Sequence, residues 1–490
     1  MRAERDIHRH GRGSGETYRV WGVGIRRYCF MVVVLLSCSV TLAGCAYLQN
    51  YTVLSRQART SLAAGNYPDA LSVFPESSAR GKDEILIRME RGVILQAMGR
   101  FQDSANEFER AVRKIRDNEN RAVISASRTA AQAGTLIVNE QVLPYDGEDF
   151  EKVLIHALNA VNYVLGGDLE GARVEILNAY RRQDELAEKH ARDLMKAEED
   201  LAGADWERSF QKTDREGFEA LREKAQSVLS IYQNAFAYYV SALVYELNRE
   251  ENDAYIDLKK AIRAAPGCRS IQQDLIRLSR ELNFREDAQE WVEQFGEIEI
   301  DSSPGIDVFV IFTFGLAPFK EAVSFPIPIG KGGFVFASLP VYRFTPATIH
   351  SGEVLAGGTS VETSLLSDTD AIAARNLLDK FPILFAKQIA RSYLKAQASR
   401  SLSREYGALG AIAGTVASAV TEQADLRTWS SLPKEIHVAR VFLPDSTRRF
   451  LLKAFPSGPL RTVELPEGTK HCIVLSRVTD TDMTVHTRAY

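Results

Sequence analysis

Cysteine and histidine are scarce in this chain of 490 residues, which contains five cysteines and eight histidines. So few cysteines exclude a disulfide scaffold, although Cys268 and Cys472 could form either one disulfide or two buried free thiols. Beyond His8 and His10 the histidines are scattered singly, without metal-ligand spacing. Basic residues are not in excess, because 60 Lys and Arg stand against 64 Asp and Glu. A duplex-binding surface needs a concentrated basic face, so the composition argues against a nucleic-acid partner.

Motifs of nucleophilic and nucleotide chemistry are also missing. A nucleophile elbow needs Gly-x-Ser-x-Gly between a strand and a helix, and the sequence does not contain it. The stretch "IGKGG" at 329–333 lacks the Ser or Thr that follows Gly-Lys in a phosphate-binding loop, so a strand turn is the simpler interpretation. We predict that the protein is not an enzyme and that it holds no metal and no dissociable cofactor.

An apolar leader follows Arg26 and Arg27 and is about 13 residues long, whereas a membrane-spanning helix needs about 20. The leader ends in the pattern of a bacterial lipoprotein box, which consists of Leu42, Ala43, Gly44 and Cys45. The pattern predicts a signal peptide over residues 1–44 and the attachment of diacylglycerol and an N-acyl chain, such as palmitate, to Cys45. A plain signal peptide, in which Cys45 is incidental, is the alternative.

The residues around the leader also indicate a location. Ala46 follows Cys45, where an Asp would retain a lipoprotein of this kind in the inner membrane. Its absence favours the outer membrane, with the protein on the periplasmic face. Glu4, Asp6 and Glu16 are unusual for the first part of a signal peptide, so we also expect translation to start downstream of Met1.

A spacing of 34 residues recurs after the leader. "GNYPDALSVF" begins at Gly65, "GRFQDSANEF" at Gly99, and "GDLEGARVEI" follows two periods later with Gly167 in the same position. Small or large apolar residues recur at matching positions, namely Tyr67, Ala70, Phe74, Gly92, Phe101, Phe108, Ala172, Ala254, Ala261 and Pro266. The pattern resembles the tetratricopeptide repeat, a pair of antiparallel helices, and predicts six units from about residue 50 to residue 300.

Repeats of this kind stack into an α-solenoid with a concave groove that binds peptides or helices. Alternatively, the helices only support another domain. The 34-residue frame is interrupted at about 183–234 by two charged stretches, each with an apolar stripe at three- and four-residue spacing. We predict a helical hairpin that projects from the solenoid, which spans residues 45–302.

Residues 303–490 change to the two-residue alternation of β-strands, in β-branched and aromatic stretches bounded by Gly and Pro. A helical insertion at about 368–425 separates two groups of strands. We therefore predict an α+β multidomain protein, in which the α-solenoid is followed by a β-sandwich-like domain.

Several stretches of the second half stand out, namely "FTFGLAPFKEAVSFPIP", "SLPVY", "DTDAIAARNL" and "TEQADLRTWSSLPKEIHVARVFLP". Together with the lipoprotein box, they resemble a family of predicted bacterial lipoproteins of unknown activity. This family joins tetratricopeptide-like repeats to a C-terminal β domain, and the resemblance covers nearly all of the mature chain. Genes of the family have been noted near those of lipoprotein activators of peptidoglycan synthases. The resemblance therefore implies a role in cell-envelope biogenesis.

Two features of the C-terminal half leave alternatives open. Gly407, Gly410 and Gly414 lie on one face of a predicted helix, where they would pack against the β domain or mediate self-association or membrane contact. Trp429 stands beside Arg427 and either fills the core or lines a polar site.

The sequence supports two functional hypotheses. In the first, a non-enzymatic scaffold is anchored to the membrane, and an envelope protein binds in its solenoid groove or to its β domain. In the second, a glycan binder or enzyme uses the β domain. Converging ionisable groups in a pocket near Trp429 would favour the second hypothesis, and an apolar or charged groove inside the solenoid would favour the first.

Overall fold

The computed structural model describes residues 50–126, 141, 143–201, 215–298, 305–329, 333–391 and 424–490. The predicted lipoprotein box, with Leu42, Ala43, Gly44 and Cys45, lies outside the described residues, and so do Gly407, Gly410 and Gly414. Within residues 50–298 the described secondary structure is helical, and strands begin at Gly305. The change from helices to strands is the one that the periodicity of the sequence predicts.

The helical region begins with α1 and α2 and continues in pairs of packed helices, α3 with α4, α5 with α6, α8 with α9 and α10 with α11. The helices are α1 Asn50–Ala63, α2 Tyr67–Val73, α3 Glu84–Ala97, α4 Phe101–Ala126, α5 Asp149–Gly166, α6 Leu169–Asp200, α7 Arg215–Ala225, α8 Ala235–Leu247, α9 Glu251–Ala264, α10 Arg269–Glu281 and α11 Arg285–Phe295. This arrangement is that of a tetratricopeptide-like array. The 34-residue period also predicts a unit between those of Gly99 and Gly167, around Ala133, and most of this stretch lies outside the described residues.

The turns between paired helices need a backbone conformation with positive φ. Gly65, Gly99 and Gly167 adopt it, with φ of 73°, 74° and 85°, and glycine reaches this region without steric strain. In the two later pairs Arg249 and Asn283 take the same role, with φ of 63° and 59°. The positive-φ turn of the 34-residue repeat is therefore present in these two pairs, although the residue at that position is not glycine.

Small residues allow the paired helices to approach closely. A Cβ atom on Gly92 would lie 2.2 Å from Cε1 of Phe108, and Ser104 Oγ donates to the carbonyl oxygen of Gly92 at 2.7 Å. The other small and aromatic repeat positions that are fully buried are Ala70, Phe74, Phe108, Ala172, Ala254 and Ala261. Tyr67 is also buried, Phe101 is half-buried, and Pro266 is exposed in the turn after α9.

The predicted hairpin at about 183–234 corresponds to the second half of α6 and to α7, with residues 202–214 outside the described chain. The predicted apolar stripe of the first charged stretch includes Ala191, Ala197 and Leu201. Ala197 and Leu201 are buried, whereas Ala191 is exposed. On α7, Phe218 stacks on Phe381 with ring centroids 5.9 Å apart. The returning helix therefore packs against the C-terminal half of the chain.

The described residues of the β region form three sheets. Its strands are β1 Gly305–Phe314, β2 Phe319–Ile329, β3 Gly333–Arg343, β4 Ser351–Ala356, β5 Thr359–Glu362, β6 Ser364–Asp368, β7 Glu435–Pro444, β8 Arg449–Phe455, β9 Leu460–Glu464, β10 His471–Val478 and β11 Met483–Ala489. One sheet has the order β11-β10-β1-β7-β6, a second the order β5-β4-β8-β9, and β2 pairs with β3. In the five-stranded sheet β1 and β10 are parallel and the other pairs are antiparallel. A helix at 369–391, α12, follows β6 and begins the predicted insertion.

Alternation along the central strand β1 separates two hydrophobic clusters. Val308 and Val310 pack with the residues of the four-stranded sheet, which makes a two-sheet sandwich. Phe309 and Ile311 point to the opposite face and join the core of the helices. For instance, Phe309 lies 5.2 Å from the ring of Tyr239 on α8. The predicted β-sandwich thus has a third layer, the solenoid itself.

Candidate functional site

The first helix of every described pair contacts the C-terminal half of the chain. These contacts include hydrogen bonds that join Tyr51 to Thr428, Ala97 to His486, Val164 to Tyr490, Glu246 to Arg440 and Ser270 to Val438. In a tetratricopeptide array the first helices line the groove in which partners bind. Over the described residues, that groove is therefore occupied by the chain's own β region.

A segment without regular secondary structure, residues 424–434, crosses this face just before β7. Glu90 on α3 is fully buried, and its carboxylate binds the middle of this segment through hydrogen bonds. One oxygen accepts hydrogen bonds from the backbone N–H of Ser430 at 2.7 Å and from the hydroxyl of Tyr51 at 2.6 Å. The other oxygen accepts from the N–H of Ser431 at 3.0 Å. A buried carboxylate is thus satisfied by backbone donors from a segment 340 residues away in sequence.

Glu151, at the start of α5, binds the same segment through the residue before Ser430. Its carboxylate accepts the backbone N–H of Trp429 at 2.8 Å and the hydroxyl of Tyr145 at 2.6 Å. Burial raises the pKa of Glu151, and the nearby carboxylate of Glu148 raises it further. Burial acts in the same direction on Glu148, but the ammonium group of Lys320, 2.5 Å away, helps to hold the pKa of Glu148 well below its ordinary value.

Trp429 itself is a core residue, with 1% of its surface exposed. Its ring meets the ring of Phe108 on α4 edge to face, with centroids 5.7 Å apart. The neighbouring Arg427 is bound by two carboxylates, Asp425 at 2.7 Å and Asp83 at 2.9 Å. Ionisable groups therefore do converge near Trp429, but the backbone and side chains of the protein itself engage them. The arrangement fastens the segment to the solenoid.

A second buried charge network joins the β region to the last two repeats. Arg440 on β7 contacts Asp307 on β1 at 2.6 Å, Glu246 on α8 at 2.7 Å and Asp274 on α10 at 3.0 Å. Arg277 adds a second guanidinium, 2.6 Å from Glu246. Burial opposes the ionisation of Asp307, yet the neighbouring Arg440 holds the pKa of Asp307 well below its ordinary value. The network is complete without a ligand and is therefore structural.

The chemistry available in the described part of the chain is limited. No group of three or more His, Cys, Asp or Glu in that part is placed to hold a metal ion. Cys268 and Cys472 are both buried free thiols. No described helix is long and apolar enough to span a bilayer.

An exposed groove lies on the second helices of the last two repeats. It has a volume of about 730 Å³ and is lined by α9 and by the residues that lead into α11. Two large apolar side chains are exposed there, Ile256 at 50% and Phe284 at 39%. The lining carries four basic residues and two acidic residues, namely Lys259, Lys260, Arg263, Arg285, Glu286 and Asp287. We call this surface the outer groove.

Charges in the outer groove are only partly neutralised. Lys259 lies 3.1 Å from Asp287, which also accepts the hydroxyl of Tyr255 at 2.7 Å. Arg263 and Arg285 have no ion pair among the residues that the structure describes. A mixed apolar and basic surface of this kind fits an acidic segment that carries an apolar side chain.

Sequence reasoning missed Glu90, Glu151, Arg440 and the outer groove. Glu151 lies in the first turn of its helix, where an acidic residue is usual, but a signal was present for Glu90, because it interrupts the apolar face of a helix in "EILIRMERGVILQA". A charge at such a position is buried and needs a partner. The identity of that partner depends on which part of the chain covers the helix.

Comparisons with known proteins leave the chain without a family assignment. No protein-family model matches the sequence, and no curated protein matches it significantly. Two crystal structures of MamA are 11% and 10% identical to it and cover 48% and 51% of this chain and 91% and 98% of their own, each with a TM-score of 0.28. The TPR2AB-domain:pHSP90 complex of yeast Sti1 is 14% identical and covers 49% of this chain and 88% of its own, with a TM-score of 0.19. Because these TM-scores are below 0.5, the tetratricopeptide-like assignment rests on the helix pairs described above.

Proposed function

We propose that the protein is a non-enzymatic scaffold which binds a protein partner in the outer groove and is held at the membrane by a lipid on Cys45. The observation that supports it most directly is the placement of the outer groove. This surface exposes Ile256, Phe284 and unpaired arginines, whereas the chain's own β region fills the inner face of the solenoid. We therefore propose that the partner binds to the second helices of the last two repeats. The first helices, which would line the concave groove, contact the β region of the same chain instead.

The groove specifies the chemistry of the partner. Arg263 and Arg285 would attract carboxylates, and Phe284 with Ile256 would contact an apolar side chain. We propose an acidic segment of a cell-envelope protein as the ligand. From the resemblance noted in the sequence and from Ala46, we also propose that the scaffold acts in cell-envelope biogenesis at the periplasmic face of the outer membrane.

Tethering supplies the mechanism. A diacylglycerol and N-acyl anchor confines the scaffold to a membrane plane, since each buried methylene contributes about 0.8 kcal/mol and several chains act together. Confinement raises the local concentration of the scaffold around membrane-bound partners without any new contact.

In vivo photo-crosslinking tests the binding surface. A benzoylphenylalanine at position 256 or 284 should capture one discrete envelope protein, and the same probe at Val174 should not, although that side chain is 55% exposed on α6. Arg263→Glu should abolish the crosslink from position 284, and Arg448→Glu, a charge reversal at an exposed arginine far along the chain, should leave it intact. Equal capture from position 174 would contradict the proposal, and recovery of peptidoglycan fragments alone would favour the glycan-binder hypothesis.

Membrane fractionation tests the anchor separately. Cys45→Ser should move the protein from the membrane fraction to the soluble fraction, and globomycin should cause its precursor to accumulate. Unchanged fractionation of the variant would remove the lipid anchor from the proposal.

Self-association through Gly407, Gly410 and Gly414 is a separate proposal, which an unchanged oligomer size in Gly410→Leu would overturn.

A further inference from the structure

Arg477, on β10, is a buried arginine without an acidic partner. Its side chain faces the solenoid and the residue is 6% exposed. One terminal nitrogen donates to the carbonyl oxygens of Gly315 at 2.8 Å and of Ser431 at 3.4 Å. Among the described residues no carboxylate lies within 4 Å of it. The two carbonyl contacts satisfy part of the guanidinium but do not neutralise its charge.

A small cavity lies beside this guanidinium, where the five-stranded sheet meets α3 and α5. Its volume is about 20 Å³, and its lining contains no acidic residue; the polar lining residues are Arg477, Thr484, Thr313, Gln96 and His486, whose Nε2 lies 2.9 Å from the carbonyl oxygen of Ala97. The hydroxyl of Thr484 is buried there without a hydrogen-bond partner among the described residues. The amide of Gln96 is already engaged by the carbonyl oxygen of Leu158 at 2.9 Å. Thr484 and the remaining nitrogens of Arg477 therefore still have donors to offer, and so does the neighbouring hydroxyl of Tyr67, which is likewise buried without a partner among the described residues.

The neighbouring groups do not supply the missing negative charge. Tyr67 lies nearby, but burial raises the pKa of its hydroxyl, so it stays protonated and neutral. Burial, with a second cation at Arg59, lowers the pKa of Arg477 to about 10, so the guanidinium remains charged at neutral pH. An isolated charge in such surroundings is strongly disfavoured unless an anion compensates it.

We propose that this cavity binds a monatomic anion, chloride in practice, between the guanidinium of Arg477 and the hydroxyl of Thr484. The space holds one or two atoms, since a single water already needs about 10 to 15 Å³, and phosphate or a carboxylic acid is too large for it. A water molecule fits the volume but leaves the charge of Arg477 uncompensated. Because the lining comes from both layers, the anion would join the five-stranded sheet to the solenoid.

Thermal unfolding in different salts tests this site. The melting temperature of the full chain is measured while chloride replaces gluconate at constant ionic strength. Linkage at one site predicts a rise of about 2 °C for each tenfold increase in chloride above the dissociation constant. Arg477→Gln should remove this dependence. Arg448→Gln should retain it, because Arg448 is exposed and its hydrogen bonds within the described part of the chain go to the carbonyl oxygens of Asp445 and Thr447.

Two results would overturn the site: a wild-type melting temperature that does not respond to chloride, or an equal response in Arg477→Gln. If Arg477→Gln does not fold, crystals of the wild-type protein grown in bromide decide the question. An anomalous peak beside Arg477 and Thr484 supports the proposal, and a map without that peak rejects it.

Discussion

Replacing Glu90 by glutamine tests whether the solenoid holds the 424–434 segment through one buried carboxylate. Glu90→Gln keeps the shape of the side chain and removes its charge. The N–H of Ser430 points at one oxygen and the N–H of Ser431 at the other. An amide can offer an acceptor to only one of them, so in either orientation its NH₂ group faces a backbone N–H.

The expected loss follows from that geometry. A hydrogen bond to a charged group contributes about 1.5 to 3 kcal/mol, and a buried donor left without a partner costs about 1 to 3 kcal/mol. The variant loses at least one such bond and leaves at least one such donor. We therefore expect its free energy of unfolding to fall by about 4 kcal/mol, a large share of the 5 to 15 kcal/mol typical of folded proteins.

Urea unfolding, followed by circular dichroism, measures this change, and hydrogen exchange locates it. Exchange at the amides of Ser430 and Ser431 should accelerate in Glu90→Gln more than exchange elsewhere in the β region. Glu188→Gln is the control, because its side chain is 75% exposed and surface substitutions of this kind change stability by about 0.5 kcal/mol or less. A loss below about 1 kcal/mol, or unchanged exchange at the two serines, would refute the reasoning.

Three further predictions follow from packing, acidity and burial. Gly92→Ala should lower the free energy of unfolding by about 1 to 3 kcal/mol, because its new Cβ would overlap Phe108; an unchanged urea midpoint would contradict this packing. Asp307 has a lowered pKa in the folded protein, so its stabilisation is complete above its ordinary pKa of about 4 and is lost as the pH falls below it. Urea titrations from pH 7 to pH 3 should show this fall, and Asp307→Asn should show a shallower one. Burial raises the thiol pKa to about 12 for Cys268 and about 11 for Cys472, so Ellman's reagent should label neither cysteine until guanidinium unfolds the protein.

Much of the secondary structure can be predicted from local periodicity in the sequence. Residues three or four apart share a helix face and residues two apart share a strand face, so the helix pairs and nearly all the described strands can be predicted from single stretches of sequence. The same reasoning locates close contacts inside one repeat. Gly92 and Phe108 belong to one helix pair, and their small and large side chains already indicate that they meet.

Contacts between distant parts of the chain cannot be predicted in this way. Nothing near Glu90 in the sequence indicates Ser430 as its partner, and nothing near Arg440 indicates that Asp274 and Glu246 surround it. Trp429 could be read as either a core residue or part of a site, and only its burial against Phe108 decides between them.

The sequence by itself determined the order of elements and the 34-residue repeat, because each depends on residues within one turn, one strand or one short motif. The lipid anchor, which depends on a short motif as well, stays a prediction. The tertiary structure alone decided that the β region covers the inner face of the solenoid and that the outer groove stays exposed. The physical reason is that burial and charge pairing depend on which surfaces meet. Residues such as Glu90 and Ser430, 340 positions apart, become neighbours only when the helices and the sheet pack together.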